Sequence, residues 1–120
     1  MLKNLQNEAP RSETLMRVYD KFIVFNAAAS RLLGLTEGSY VTIMQDDRDN
    51  DLYVANAAGM RQSHAVRGRS NTYILRSASF CRKVAAALEG AGTYRICPEA
   101  VKEEYGRKFF NIFKKKYGNQ

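Results

Sequence analysis

Apolar residues in this chain come in short runs, and the runs recur in the same order. Thr14-Leu-Met-Arg-Val-Tyr19 alternates well enough for a strand. Asp20-Lys21 is a turn signal, and Lys21 to Phe25 reads as a second strand, so the two predict a hairpin. Asn26 stands where a helix N-cap belongs, because its side chain can accept from the first free amides. Ala27 to Leu35 favours helix, with Ala29, Leu32 and Leu33 on one face. Gly34 can end it in a left-handed cap. After the turn Thr36-Glu-Gly38, Tyr40 to Met44 and Leu52 to Ala55 read as strands around a polar loop, Asp46 to Asp51.

The same order returns after the break Asn56-Ala-Ala-Gly59. Ser63 to Arg67 is a weak strand, Gly68-Arg-Ser-Asn71 a turn, and Thr72 to Leu75 a strand. Ser77 is a second N-cap, and Cys81, Val84, Ala85 and Leu88 follow at helical spacing. Thr93 to Cys97 is a strand, Pro98 to Tyr105 a connection with room for one helical turn, and Arg107 to Phe113 the last strand. An offset of 51 residues matches Leu75 to Val24, Ala78 to Ala27 and Arg82 to Arg31. Each half therefore reads β-β-α-β-β, a supersecondary unit used twice. Four short strands and one helix cannot cover both faces of a sheet, so the halves are expected to pack together. The expected fold class is α+β: two tandem repeats, residues 13–57 and 61–113, forming one domain as a swapped-hairpin-like pseudo-dimer around a small barrel or sheet core. Residues 1–12 read as a flexible N-terminal arm and 114–120 as a basic C-terminal tail.

Composition narrows the function classes. The net charge of +7 suits a polyanionic partner, and equally a basic soluble protein. No run approaches the ~20 apolar residues of a membrane helix, and Met1 to Ser12 lacks an apolar signal core, so no membrane partner and a cytoplasmic location are expected. Cys81 and Cys97 lack metal or redox spacing and read as buried small hydrophobes in a reducing compartment.

Met16 to Val41 resembles the swapped-hairpin DNA-binding module of the AbrB and MazE antitoxin type. That module runs strand, Asp-containing turn, strand, short helix and strand. The closest local match is Leu33-Gly34-Leu35-Thr36-Glu37-Gly38. Tandem copies in one chain are similar to the MraZ proteins. The resemblance implies DNA contact from the first hairpin and the helix start, where Arg17, Lys21 and Arg31 stand.

Other residues add candidates. Arg61, Arg67, Arg69 and Arg76 surround the second hairpin, with Ser70 and Asn71 able to hydrogen-bond phosphate. A solvated hairpin with ordinary surface charge is the bland alternative. Arg31 and Arg82 match across the repeat, each in the first turns of its helix, where a cation is mildly unfavourable. Phosphate binding or a salt bridge would explain the repetition. Asp47, Asp49 and Asp51 have the odd spacing of a calcium loop, but Leu52 and Ala58 stand where glycine and glutamate belong. His64 has no acid or nucleophile near it in sequence, and Gly90-Ala-Gly92 is no phosphate loop. Phe109, Phe110, Phe113 and Tyr117 interleave with Arg107, Lys108 and Lys114 to Lys116, which suits base stacking or simply a final strand with one apolar face. The expected function is DNA binding by a transcriptional regulator or mobile-element accessory protein, with Arg17, Lys21, Arg31, Arg67, Arg69, Arg76 and Arg82 as the contacts. No catalysis, cofactor or small-molecule substrate is expected. Pairing of the halves within one chain or between chains of a homodimer stays open. A protein-interaction or structural module that keeps the fold without the DNA face is the alternative.

Overall fold

The computed structural model describes residues 13–60, 63–69 and 71–118. The arm expected over residues 1–12, with Arg61 and Ser70, lies outside them. The elements are β1 (Leu15–Val18), β2 (Phe22–Phe25), α1 (Ala27–Leu33), β3 (Tyr40–Gln45), β4 (Leu52–Asn56), β5 (His64–Arg69), β6 (Thr72–Arg76), α2 (Ala78–Ala87), β7 (Gly92–Glu104) and β8 (Arg107–Lys116). The strands close into one antiparallel barrel in the order β1-β2-β6-β5-β3-β4-β8-β7. The domain is thus α+β, with eight strands and two helices. Among the described residues no helix is long and apolar enough to cross a membrane.

An eight-stranded barrel has an interior just wide enough for side chains to fill. Met16 and Val18 of β1, Ile23 and Phe25 of β2, Val66, Leu75, Ile96 and Ile112 fill it, each exposed by 1% or less. The helices pack on this same core through Ala29 and Leu33 of α1 and Cys81 and Val84 of α2. Asn26 explains why α1 begins where it does. Its Oδ1 accepts the amide of Ala29 at 2.9 Å and that of Leu15 at 3.2 Å, while its Nδ2 donates to the carbonyl of Glu13 at 2.7 Å. One side chain both caps the helix and ties it to β1. Ser77 caps α2 at the amide of Phe80. Gly34 ends α1 at φ 64°, a left-handed position that costs glycine nothing. Past α2, the buried hydroxyl of Tyr94 accepts the amide of Glu89 at 2.8 Å and donates to the carbonyl of Gly90 at 2.6 Å.

The last hairpin departs from expectation. Pro98 to Tyr105 is not a connection with a helical turn: β7 runs on to Glu104, and β8 continues through Lys114 to Lys116. Pro98 is tolerated because the register shifts between Cys97 and Val101, so its missing N–H falls in a bulge rather than in the ladder. Tyr105 and Gly106 form the two-residue tip, both at positive φ, as a tight hairpin of matching twist requires. A second, smaller cluster of Tyr53, Ala55 and Phe109, with Met44 and Met60 against it, covers the outside of β3, β4 and β8.

The offset of 51 residues needs correction on the strands. It matches the helix caps, Asn26 with Ser77, but it also matches Val24 with Leu75. Leu75 is fully buried, whereas β2 buries Ile23 and Phe25 and leaves Val24 half-buried. Side chains alternate faces along a strand, so an odd slip crosses from one face to the other.

Candidate nucleic-acid interface

Strands β1, β2, β6 and β5 are consecutive in the barrel wall, and their pairing aligns one row of outward residues. Arg17 pairs with Val24, Val24 with Ile74, and Ile74 with Arg67. Arg17 and Arg67 are exposed, and Val24 and Ile74 are half-buried between them. One step along, Phe22 pairs with Arg76, and Arg69 of β5 lies opposite Thr72. The two hairpins therefore occupy one continuous stretch of the barrel wall, joined through β2 and β6. Their turns lie at opposite ends of it, because β2 and β6 are antiparallel.

Side chains on this face hold one another. The Arg17 guanidinium lies 5.3 Å from the centre of the Tyr19 ring, and Arg76 lies 5.6 Å from that of Phe22. Tyr19 and Phe22 stack at 4.4 Å with 27° between their planes. The result is a continuous series, Arg17, Tyr19, Phe22, Arg76. Sequence reasoning singled out the two arginines and missed the two rings. The available signal was the outward parity of Phe22, which sits on a strand whose inward positions are Ile23 and Phe25.

The other expected contacts scatter. Lys21 is exposed in the first hairpin turn, and its carbonyl accepts the amide of Ser77 at 3.3 Å, seating the turn against the start of α2. Arg82 on α2 lies 3.8 Å from Asp20 in that turn, both well exposed, so its visible role is an ion pair. Arg31 is exposed in the last turn of α1 rather than its first turns, because the helix has only seven residues. A cation there is favourable to the macrodipole, which removes the reason to see it as a misplaced charge. Asn71 occupies the second turn at φ 68°, a conformation Asn tolerates better than most residues. Acidic groups touch the same hairpins: besides Asp20, Glu37 accepts the amide of Gly68 at 3.0 Å.

The acidic loop lies elsewhere. Its strands β3 and β4 sit across the ring, where β4 meets β8 opposite the junction of β2 and β6. Lys102 bonds Asp46 and, at 3.3 Å, Asp49, and its ammonium lies 4.6 Å from the centre of the Tyr53 ring. That hydrogen bond holds the Asp46 carboxyl below the usual carboxylate range and pushes the Lys102 ammonium up. Lys114 comes within 4.0 Å of Asp51. Three of the loop's four aspartates, Asp46, Asp49 and Asp51, thus have lysine partners from β7 and β8, and among the described residues no group of three or more His, Cys, Asp or Glu could hold a metal ion. Beside it, Met44, Tyr53, Tyr105 and Phe109 line an open cleft of about 240 Å³.

The remaining chemistry-bearing residues are packed into the fold. His64 stacks on Phe80 at 4.2 Å, and burial lowers its pKa. Burial raises the pKa of both Cys81 and Cys97, away from thiolate chemistry. Phe109 and Phe110 are buried, which removes them as a stacking surface, whereas Phe113 is half exposed. Compared with protein-family models, with curated proteins and with solved structures, the chain matches none.

Proposed function

We propose that this protein binds duplex DNA as a transcriptional regulator or mobile-element accessory protein, and that its two halves form a swapped-hairpin pseudo-dimer. The reading rests on the row Arg17, Val24, Ile74, Arg67. At ~4.8 Å per strand the row runs about 14 Å along the curved wall from Arg17 to Arg67, comparable with the ~12 Å width of a major groove. Arg69 and Arg76 add cationic positions on the same strands, and the acidic loop is across the ring.

Strand order supports the pseudo-dimer. Exchanging β1–β4 with β5–β8 leaves the ring order unchanged. In that exchange the first hairpin of each half pairs with the third strand of the other: β1 with β7, and β5 with β3. Fifty residues separate Arg17 from Arg67 and likewise Val24 from Ile74, so the row reads alike from either end. Such a local two-fold would present the same guanidinium twice to a duplex, whose own backbone has two-fold character.

A mobility-shift titration with duplex DNA at low and moderate salt tests the reading. Binding is expected at micromolar protein or below in low salt, weakening steeply as salt rises, because phosphate neutralisation releases counterions. Absence of any shift at micromolar protein in low salt refutes it. Asp20 and Glu37 at the hairpins favour the second reading, a protein-interaction module on the same fold. That reading gains if the protein ignores DNA while Arg17→Glu leaves its stability unchanged.

A further inference from the structure

We infer that Tyr19 and Phe22 are positioning residues for a sequence-blind phosphodiester site, in which the stacked rings hold the Arg17 and Arg76 guanidiniums ready for backbone phosphates. The inference rests on the DNA-binding reading above and specifies what the face recognises.

Two observations distinguish this site from a surface that stacks bases. Each ring already has two partners, one stacked ring and one guanidinium over it: Tyr19 has Phe22 and Arg17, and Phe22 has Tyr19 and Arg76. The series leaves little ring surface for an unpaired base to cover, and stacking on free rings is what single-strand binders need. The guanidiniums, by contrast, present their donors at the rim of a planar fork. A fork lying over a ring keeps those donors outward and suits bidentate phosphate contact.

Preorganisation is the physical gain. A free arginine on a strand surface loses rotamer freedom when it grips a phosphate, and that loss weakens binding. Arg17 and Arg76 already lie over their rings with no ligand present, so less of that freedom should remain to be lost on binding. Arg17 sits at one end of the series on β1 and Arg76 at the other on β6, so the held pair spans three adjacent strands. Neither arginine has an acidic partner among the ion pairs of the described residues, unlike Arg82, Arg95 and Arg48. Backbone contacts carry no base information, so what this pair contributes to affinity should not follow sequence.

The test compares the intact protein with Tyr19→Leu/Phe22→Leu, Tyr19→Phe and Arg17→Lys/Arg76→Lys. Binding to A·T-rich and G·C-rich duplexes of equal length is followed by fluorescence anisotropy across a salt series. The double leucine variant should lose affinity by the same factor, within about threefold, on both duplexes, and the intact protein should bind an unpaired strand of the same length no better than either. The double leucine variant should bind about fivefold to twentyfold more weakly with the same salt slope, since the charges remain and only their order is lost. Tyr19→Phe should bind as the intact protein does. The lysine pair should weaken binding although its charge is kept. In the free protein, the Arg17 side-chain protons should show a ring-current shift that Tyr19→Leu abolishes, which reads the stacking without DNA. If the intact protein binds DNA but the leucine variant, shown folded by circular dichroism, binds equally well, this inference falls and the DNA reading survives. A loss on one duplex but not on the other, or a marked preference of the intact protein for the single strand, also overturns it. If the intact protein binds no DNA at all, the parent reading falls as well.

Discussion

Replacing Tyr94 by phenylalanine removes one oxygen and nothing else from the packed interior. That oxygen bridges two backbone groups of the turn after α2, the amide of Glu89 and the carbonyl of Gly90. Tyr94 is fully buried, so the ring stays in place in the variant while both backbone partners lose a bond. Each neutral hydrogen bond contributes about 1 kcal/mol net, and a buried group left unmatched costs about 1–3 kcal/mol. Water can reach Glu89, which is exposed, so the lower half of the summed range for two groups applies, about 2–4 kcal/mol. At this chain length 1 kcal/mol corresponds to about 4 °C in the melting temperature, so a loss of about 8–16 °C is expected by calorimetry. The pH dependence has a definite sign. Burial holds the Tyr94 hydroxyl above the usual phenol value, so the neutral form is the stabilised one. Its contribution is complete below about pH 10, the unfolded-chain value, and declines as pH rises toward the folded one. The gap between the native protein and Tyr94→Phe should therefore narrow above about pH 10. A variant as stable as the native protein at neutral pH, within about 0.3 kcal/mol, would show that the hydroxyl does not bridge the turn.

Other outcomes are equally direct. Arg17→Gln/Arg67→Gln should reduce the slope of log affinity against log salt by about 2, since each phosphate contact contributes about 0.9; an unchanged slope would place the contacts elsewhere. Gly68→Ala should destabilise by about 1–3 kcal/mol in urea denaturation, because a methyl group there lands on the ring of Tyr73, its cross-strand partner. Asn26→Ala should cost about 1–2 kcal/mol, as it strips the cap from α1 and the tie to β1 together. Asp46 is stabilised in its charged form, so its contribution is present above the unfolded carboxylate value near pH 4 and lost as pH falls further. Lys102→Met should flatten that acid limb in a pH series of thermal melts.

Legibility in the sequence followed local chemistry. The first hairpin, both helix caps and the Gly34 stop could be read because each is set by residues within four positions of one another. The long last hairpin could not, because Pro98 looks like a strand breaker until the bulge that shelters it is known. Nor does sequence tell which strands become neighbours, and that decides the candidate face: Arg17 and Arg67 meet in one row only because β2 pairs with β6. The apparent repeat period was the subtler error. Counted from Val24 to Leu75 it is 51, a value that holds at the helix caps, Asn26 and Ser77, but that parity forbids on the strands themselves. Arg31 shows the same limit on a smaller scale: its place in α1 depends on a helix of seven residues, shorter than the apolar pattern suggested.

The closed ring also fixes where the barrel begins and ends. β1 and β8 flank the same stretch of β7, with Met16 and Lys116 both opposite Tyr94. The first and last strands thus stand only two strand spacings apart, about 10 Å. A short linker could join them, and the polypeptide could be reopened in the 57–63 segment to run β5 to β8 and then β1 to β4. Such a circularly permuted chain would keep every strand neighbour it has now, so the connectivity between the halves is dispensable to the architecture.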